Sequence, residues 1–351
     1  MQNVTVVSSP LNLLKVRLRR FFKFSESFKH TINPRLLLNR LMLGFSYYTG
    51  KTKVWGSPIT ANIESTNFCN LECIMCPRGE MKRKLYHMKL EEFKAMIDGL
   101  GKNTEYVGFD LFGETLIHPQ IAEMVKYCTD KGIRSAVSTN VTVLTEKKAK
   151  ELLEAGLSII VLSVDGATKE TYEQVRQGGN YEDVLKNLNN FLRIKKEIPN
   201  KTFALIQLIE MNNNKTEVQN FLDQWDFTDV DGVRIKRFQN WAGQLDQNNY
   251  FYEINSEQKF KPCDYLWRHM YVFATGEVVP CCRDFDGKHV LGNAMKEPLE
   301  KIWNNEAYQK LRKMHVEGRR NEIPLCRNCD YNPSKAKIGT FIVDPLTIGK
   351  L

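Results

Sequence analysis

Three cysteines at positions 69, 73 and 76 constrain this chain more than any other feature. Residues 65–78 read STNFCNLECIMCPR and follow an apolar segment that is predicted as a strand. The C-x-x-x-C-x-x-C spacing places three thiols on one short loop, where they can bind three irons of a cubane [4Fe-4S] cluster. The loop supplies no fourth protein ligand, so the spacing predicts one iron that is open to a chelating small molecule.

Two other interpretations of these cysteines are open. They could be buried thiols, or they could belong to a structural zinc site. Zinc sites usually close with four ligands in paired C-x-x-C or Cys/His spacings, and no histidine lies near Cys76 on the loop. The spacing therefore favours the open cluster.

The composition is that of a globular protein with a substantial core. The chain has 351 residues, of which 42% are hydrophobic and 26% charged. Its nine cysteines come without a signal peptide, which favours a reducing compartment and metal ligation over disulfides. No apolar run reaches the 18 residues of a membrane span. We expect a cytoplasmic protein that is at most peripheral to the inner membrane face.

The net charge of +9 is confined to the N-terminal region. Residues 1–60 contain ten Lys or Arg and one Glu, so the rest of the chain is neutral. The basic balance is therefore no evidence for a nucleic-acid-binding body, and nucleic acid is an unlikely partner.

Residues 1–56 are predicted to form a basic helical arm. Residues 11–24 combine apolar residues at helical spacing with five cations, and a second apolar patch at residues 36–43 follows Pro34. Such an arm could lie on an anionic membrane surface. Packing of both helices against the rest of the chain is an equally good interpretation, and RNA binding is a weaker third.

From residue 59 the pattern changes to strands that alternate with helices. Apolar strands are expected at residues 59–64, 106–112, 133–138, 157–164, 203–209 and 233–236. Amphipathic helices are expected between them, and the strand at residues 157–164 is nearly continuous in its hydrophobicity, as buried parallel strands are. Six β/α units predict a parallel sheet with right-handed crossovers.

The cysteine loop and the strand pattern together resemble the radical S-adenosylmethionine (SAM) superfamily. The resemblance implies an α/β fold, a partial (β/α)6 TIM-like barrel at residues 57–240, in which SAM caps the fourth iron. Gly113, Glu114 and Thr115 stand where that family has its Gly-Gly-Glu motif, with Phe112 in place of the first glycine. Further cofactor contacts are implied at Ser138, Asn140, Ser163, Asp165 and Arg176.

These side chains have physical uses for a bound SAM. In β/α barrels, the functional residues lie at the carboxyl ends of the strands. The Glu114 carboxylate could pair with the methionyl amine, and Gly113 lets the backbone approach closely. Arg176 could pair with the methionyl carboxylate. Each signal is weak alone, and the order of the set behind the cysteine loop makes it specific.

A second group of cysteines lies at positions 263, 281, 282, 326 and 329. Twelve residues separate Cys263 from Gly276 and four separate Gly276 from Cys281, which resembles the opening of the SPASM extension. A full SPASM domain would need three further cysteines after Cys329, and the sequence contains none. The resemblance thus implies the shortened twitch form in residues 241–351.

Four of these thiols would bind one auxiliary [4Fe-4S] cluster through Cys263, Cys281, Cys326 and Cys329. The glycine spacing favours Cys281 over Cys282 as the ligand. A zinc ribbon with the same four thiols is the alternative.

The resemblance implies an enzyme that cleaves SAM reductively to a 5′-deoxyadenosyl radical, with an electron from a flavodoxin- or ferredoxin-type donor. An auxiliary cluster with four cysteine ligands favours electron relay, and hence two-electron oxidation of a sugar, cyclitol or lipid-linked small molecule. A peptide-modifying enzyme and a non-catalytic iron-sulfur carrier or redox sensor are the alternatives. Glu210, His269, Arg283 and Asp284 are polar groups near the expected site, and none is assigned as the catalytic acid or base.

Overall fold

A nine-stranded sheet runs through the part of the chain that the structure, a computed structural model, describes. That part comprises residues 33–225, 229–245 and 262–331. The predicted amphipathic segment at residues 11–24 lies outside it.

The strands of the described residues are β1 (Thr60–Ile63), β2 (Tyr106–Phe109), β3 (Arg134–Thr139), β4 (Ile159–Ser163), β5 (Phe203–Glu210), β6 (Gly232–Arg237), β7 (His269–Val272), β8 (Glu277–Val279) and β9 (Gly292–Asn293). The α-helices of the same residues are α1 (Pro34–Tyr48), α2 (Leu90–Asp98), α3 (Ile121–Asp130), α4 (Glu146–Glu154), α5 (Lys169–Val175), α6 (Tyr181–Glu197), α7 (Val218–Trp225), α8 (Tyr265–Arg268), α9 (Leu299–Ile302), α10 (Glu306–Val316) and α11 (Pro324–Arg327).

The first six strands form the predicted partial barrel. The sheet order is β6-β5-β4-β3-β2-β1-β7-β8-β9, and neighbouring strands from β6 to β7 are all parallel. Helices cross over between consecutive strands from β1 to β6. This arrangement confirms the predicted fold class.

Alternation along the strands separates a helix-covered outer face from an inner face. On β4, Ile160 and Leu162 are fully buried, whereas Val161 and Ser163 keep a small exposed fraction. On β5, Ile206 is fully buried while its neighbour Gln207 is not. Because successive side chains point to opposite faces of a sheet, the slightly exposed set lines the interior of the barrel.

The C-terminal region continues the same sheet. Strand β7 pairs in parallel with β1, with Thr60 opposite His269, and β8 and β9 add antiparallel strands. The predicted domain boundary between residues 240 and 241 falls between β6 and β7. It stays a prediction, because hydrogen bonding of the sheet crosses from one region to the other.

Polar contacts hold helix α1 against the barrel and against the C-terminal region. Arg40 and Glu105 form a fully buried ion pair, and the hydroxyl of Tyr47 donates to the carbonyl of Pro262 at 2.8 Å. The opposite side of the helix carries an exposed stripe, which we call the α1 apolar stripe: Leu38, Leu41, Phe45 and Tyr48, with Trp55 stacked on Phe45. Among the described residues, we find no helix with the length and hydrophobicity of a membrane span.

Candidate active site

The cysteine loop follows β1 and is held by backbone hydrogen bonds. The amide of Glu72 donates to the carbonyl of Gln177 at 2.9 Å, and that of Ile74 donates to Val175 at 3.1 Å. Cys69, Cys73 and Cys76 are partly exposed, and none of the nine cysteines forms a disulfide. The end of α5 and the residues that follow it therefore fix the loop, with three thiols available for metal.

Gly113 is the second support of this loop. Its φ is +87°, and a Cβ at this position would lie 2.5 Å from the carbonyl oxygen of Thr66 and 2.8 Å from that of Phe68. The next amide, of Glu114, donates to the same Phe68 carbonyl at 2.7 Å. Only glycine combines this backbone conformation with such a close approach, so the turn after β2 forms a cradle under the cysteine loop.

Two of the residues predicted to contact SAM lie directly against the thiols. The side-chain amide of Asn140 is 4.0 Å from the Sγ of Cys69, and the guanidinium of Arg176 is 3.6 Å from the Sγ of Cys73. Both are N–H donors aimed at sulfur. Donors of this kind stabilise the negative charge that a thiolate ligand carries.

Arg176 also pairs with Asp165, which is fully buried. Its Nε lies 2.7 Å from Oδ2 of Asp165, whose Oδ1 accepts from the amide of Ile209 at 2.6 Å. Burial alone lowers the pKa of Arg176, but Asp165 and the Cys73 thiolate outweigh it and raise that pKa above its ordinary value. Arg176 thus stays protonated beside the cysteine loop, and Asp165 contacts its guanidinium.

Glu114 and Thr115 are engaged by the protein itself. The two carboxylate oxygens of Glu114 accept from the amides of Leu116, at 3.0 Å, and Asn140, at 2.7 Å. Burial raises the pKa of Glu114, and these amide donors oppose the rise. The hydroxyl of Thr115 donates to the carbonyl of Phe109. Glu114 thus ties the turn after β2 to the end of β3, whereas Thr115 bonds back to β2 itself. The predicted contacts of both residues with SAM stay predictions.

Ser138 and Ser163 lie on the inner face of neighbouring strands. Ser138 is half-buried on β3 opposite Val161, and Ser163 ends β4 opposite Gln207. The structure therefore brings Ser138, Asn140, Ser163 and Arg176 to one edge of the sheet, next to the cysteine loop. Hydroxyl, amide and guanidinium groups at this edge suit the ribose and carboxylate groups of SAM.

The donor set of the loop fits an iron-sulfur cluster. Burial raises the pKa of Cys69, and it raises that of Cys76 to about 12. The free thiols of Cys69 and Cys76 are therefore protonated at neutral pH, and iron binding has to displace their protons. Soft thiolates are the ligands that such clusters use.

The second cysteine group gathers on the far side of β1, beyond β7. The Cys263 thiol interacts electrostatically with Cys326 and Cys329, and burial raises its pKa well above the ordinary value. Cys281 interacts with the same two thiols. Cys263 and Cys281 thus each lie near Cys326 and Cys329.

Cys282 faces another direction. Besides Cys329, it interacts with Arg283, Lys236 and Asp110, and the last two lie in the barrel. Burial raises the pKa of Cys282, while Arg283 and Lys236 oppose the rise. This placement favours Cys281 as the ligand, with Cys282 at the junction between the second cysteine group and the barrel.

His315, on α10, was not predicted from the sequence. Its Nδ1 accepts from the amide of Cys263 at 3.3 Å, and its Nε2 lies 3.5 Å from the Sγ of Cys326. Burial lowers the pKa of His315 to about 4, so the ring is neutral with its proton on Nε2. A lone histidine in a basic helix gives no motif, so no signal in the sequence could have revealed it.

Arg283 and Asp284, noted as polar groups near this region, have structural partners. Arg283 pairs with Asp330 at 2.9 Å, and Asp284 accepts from the amides of Lys288 and His289, each at 2.8 Å. Across the described residues, no three Cys, His, Asp or Glu side chains converge closely enough to hold a single metal ion.

The barrel and the second cysteine group are also joined through Trp241. Its indole Nε1 donates to the carbonyl of Met75, in the first cysteine loop, at 2.8 Å. Its neighbour Asn240 donates to the carbonyl of Asn328, between Cys326 and Cys329, at 2.9 Å. Residues 240 and 241 therefore link the two cysteine groups through a short path of backbone and side-chain contacts.

Comparison with known proteins agrees with this geometry. Residues 63–217 match the radical SAM superfamily, and residues 263–330 match SPASM, an iron-sulfur cluster-binding domain. A relative over most of both chains is the S-adenosyl-L-methionine-dependent 2-deoxy-scyllo-inosamine dehydrogenase of Niallia circulans. It is 25% identical over 278 residues, which are 76% of this chain and 91% of that protein.

Solved structures share the fold. The crystal structure of BtrN in complex with AdoMet and 2-DOIA has a TM-score of 0.54 and 22% identity, and the match covers 78% of this chain and 93% of that one. Streptococcus suis SuiB bound to the precursor peptide SuiA has a TM-score of 0.60 and 14% identity, with 82% and 72% covered. The two sequence matches, the parallel barrel and the two thiol groups agree. The chain belongs to the radical SAM superfamily, an enzyme family that uses SAM and [4Fe-4S] clusters, and it carries a C-terminal SPASM domain.

Proposed function

We propose that this enzyme oxidises an alcohol carbon of a small molecule, a sugar, a cyclitol or a lipid-linked derivative, by two electrons. The observation that carries the proposal is the similarity to a SAM-dependent dehydrogenase over 91% of the length of that relative. The four thiols of the second group support it, because a cluster bound by four cysteines has no iron free for substrate. Such a cluster is suited to accepting an electron.

The protein's own residues divide the work at this site. Cys69, Cys73 and Cys76 would hold the first cluster, which with bound SAM would supply the radical chemistry that removes hydrogen from the substrate. Arg176 and Asn140 direct N–H groups at the thiolates, at 3.6 and 4.0 Å from sulfur. The barrel would orient the substrate against the bound SAM. A flavodoxin- or ferredoxin-type protein is the proposed electron donor.

Contacts across the barrel support an electron path to the second cysteine group. Tyr271, on the inner face of β7, interacts with Cys281, Cys282 and Asp110, and burial raises its pKa well above the ordinary value. Phe112, which precedes the Gly113 turn, packs in one apolar cluster with Tyr271, Cys281 and Cys282. The second group is thus separated from the barrel interior by single side chains.

The test is an anaerobic reaction of the reconstituted enzyme with SAM, a reductant and alcohols that carry deuterium on the carbinol carbon. We expect deuterium in 5′-deoxyadenosine together with a ketone product. Changing Cys69, Cys73 and Cys76 to Ala should abolish SAM cleavage. Changing Cys326 and Cys329 to Ala should preserve SAM cleavage but lower the yield of ketone.

Two results would contradict the proposal and indicate a different function. Deuterium transfer from peptides and from none of the alcohols would identify a peptide-modifying enzyme. Reversible oxidation and reduction of both clusters without any 5′-deoxyadenosine would point to an electron carrier.

We also propose that the basic arm brings the enzyme to an anionic membrane surface. The α1 apolar stripe is exposed, with Leu38 at 57% and Phe45 at 49%. Residues 1–60 carry all of the net charge, and each cation near an anionic surface contributes about 1 kcal/mol. Apolar side chains beside cations are the features of a peripheral membrane helix.

The membrane proposal is tested by sedimentation with anionic and neutral vesicles. Changing Leu38 and Phe45 to Ser should weaken binding to anionic vesicles, because both side chains are exposed on the same stripe. The control is Leu85→Ser, which alters an apolar side chain of similar exposure, 49%, outside α1. If the Leu38 and Phe45 variant and the Leu85→Ser control both sediment with anionic vesicles as well as the unmodified protein does, the support for a membrane-linked substrate is lost.

A further inference from the structure

Three charged side chains line the barrel interior without a role in the family's motifs. Val233 and Ile235 of β6 pack against the main apolar core, so the alternate residues Arg234 and Lys236 share the inner face. Asp110 follows β2 and interacts electrostatically with Arg234 and Lys236.

The position of Asp110 follows from its neighbour Gly108. A Cβ at Gly108 would lie 2.6 Å from Oδ1 of Asp110 and 2.6 Å from Oδ1 of Asn62. The two oxygens therefore flank the bare backbone of β2 on one face of the sheet. Asn62 lies on the inner face, since its neighbours Ala61 and Ile63 are fully buried on the other side of β1.

Arg234 is held in place by a neutral partner. Its Nε donates to Oε1 of Gln207 at 2.8 Å, and Gln207 is its register partner on β5. A neutral amide positions the guanidinium without cancelling its charge. The cation is thus presented to the interior on a rigid strand.

The side chain of Lys236 forms no hydrogen bond or ion pair with the residues that the structure describes. It interacts at longer range with Cys282, Arg234 and Asp110. Its side chain is exposed to solvent, yet burial by the surrounding protein lowers its pKa. Lys236 therefore lies on the solvent-accessible inner face of β6, beside the junction with the second cysteine group.

The charges on this inner face do not balance. Burial lowers the pKa of Arg234 as well as that of Lys236, and it raises the pKa of Asp110 to about 6. Two cations against one carboxylate leave an excess of positive charge in surroundings that penalise charge. An anionic group placed between Arg234 and Lys236 would relieve that penalty through charge-assisted hydrogen bonds.

The position also separates these cations from the residues that suit SAM. Asn140 and Arg176 follow β3 and β4, and the cysteine loop follows β1, whereas β6 is the far edge of the sheet. A molecule held at β6 would lie across the barrel from the cysteine loop, with Cys282 on one side.

We propose that Arg234 and Lys236 form an anion-binding subsite that holds a carboxylate or phosphate group of the substrate, whose hydroxyl-bearing end is then directed toward Asp110. The inference deepens the proposed function, because it assumes only that the substrate binds inside the barrel. Neutral sugars and cyclitols without an anionic group would not use this subsite.

The test is calorimetric titration of the reconstituted, SAM-loaded enzyme with inorganic phosphate and with malonate at constant ionic strength. We expect saturable binding of at least one probe, and the stronger of the two identifies a phosphate or a carboxylate substrate. Arg234→Gln and Lys236→Gln should each raise the dissociation constant about tenfold, the equivalent of about 1.4 kcal/mol. Lys236→Arg should retain most of the binding.

The matched control is Arg237→Gln, which removes the same charge from the outer face of the same strand and should leave anion binding within about twofold. Iron content and the dissociation constant of SAM are measured for every variant. If the β6 variants bind phosphate and malonate as the unmodified enzyme does, or if they lose SAM instead, the subsite is wrong. Neither result bears on alcohol oxidation, which deuterium transfer decides separately.

Discussion

The imidazole of His315 bridges two cysteines of the second group, with Nδ1 3.3 Å from the amide nitrogen of Cys263 and Nε2 3.5 Å from the Sγ of Cys326. These contacts join α10 to the segments that carry Cys263 and Cys326. Because Nδ1 accepts a hydrogen bond, the proton lies on Nε2 and is directed at sulfur. A cluster held by Cys326 would thus receive one N–H donor from a neutral, buried ring.

Replacing His315 by Leu should change the reduction potential of the auxiliary cluster. Loss of the N–H donor removes stabilisation of the reduced, more negative cluster, so its reduction potential should become more negative. Substitutions of residues that support metal ligands typically cost about 10- to 100-fold in metal affinity or activity. The potential is measured by titration followed with electron paramagnetic resonance, on protein in which Cys69, Cys73 and Cys76 are Ala.

His315→Gln is the matched variant, because its amide can donate to sulfur. It should restore part of the potential that His315→Leu loses. If both variants have the potential of the unmodified cluster, His315 only packs α10 against the chain, and its distance to Cys326 has no electronic consequence.

Much of the barrel was predictable because local patterns encode it. Period-two and near-continuous apolar runs indicated six strands, and the structure has them with ends displaced by only a few residues. Cys69, Cys73 and Cys76 form a single loop, so their spacing alone brought the thiols together. Asn140 followed from the rule that polar groups at strand ends meet at one edge of a parallel sheet, and Arg176 was predicted as a cation in the helix after β4.

Other parts depend on contacts between distant segments. Arg234 and Lys236 look like ordinary cations of an edge strand, and only the alternation across β6 turns them inward. His315 meets Cys263 and Cys326 through the packing of α10. The backbone partners of Glu114 are a further example: its oxygens accept from the amides of Leu116 and Asn140, which no local pattern indicated, and its predicted contact with the SAM amine stays a prediction.

Asp110→Asn should stabilise the protein at high pH. The folded-state pKa of Asp110 is raised by burial from 3.8 to about 6. The unfolded chain thus holds fewer protons than the folded protein between these values, and stability from Asp110 is lost as pH rises through about 6. The melting temperature of Asp110→Asn should exceed that of the unmodified protein at pH 8, and the difference should shrink toward pH 5.5. Parallel curves across this range would mean that Asp110 is hydrated like a surface carboxylate.

Cys281→Ser and Cys282→Ser should differ in their iron content. Cys281 interacts with Cys326 and Cys329, whereas Cys282 also interacts with Lys236 and Asp110 in the barrel. In protein whose first three cysteines are Ala, Cys281→Ser should lower the iron below the value of about four per chain that one cubane cluster requires. Cys282→Ser should retain it. The opposite outcome would identify Cys282 as the ligand. One tightly bound zinc in place of iron would identify the site as a zinc ribbon.

Gly113→Ala should detach the cysteine loop from the barrel. The added Cβ would lie 2.5 Å from the Thr66 carbonyl oxygen and 2.8 Å from that of Phe68, and both atoms belong to the backbone, which cannot rotate away. We expect loss of the SAM-binding cluster, so that the iron content falls by about four per chain. The auxiliary cluster should be retained.

Gly132→Ala separates this clash from the cost of the backbone conformation. Gly132 also has a positive φ, +71°, but a Cβ there would meet no atom within 4 Å. An alanine in this conformation costs about 1–2 kcal/mol, so Gly132→Ala should lower the melting temperature while both clusters stay bound. If Gly113→Ala behaves in the same way, the cradle under the cysteine loop adapts to a methyl group, and the close approach of Gly113 to Thr66 is not what holds the loop.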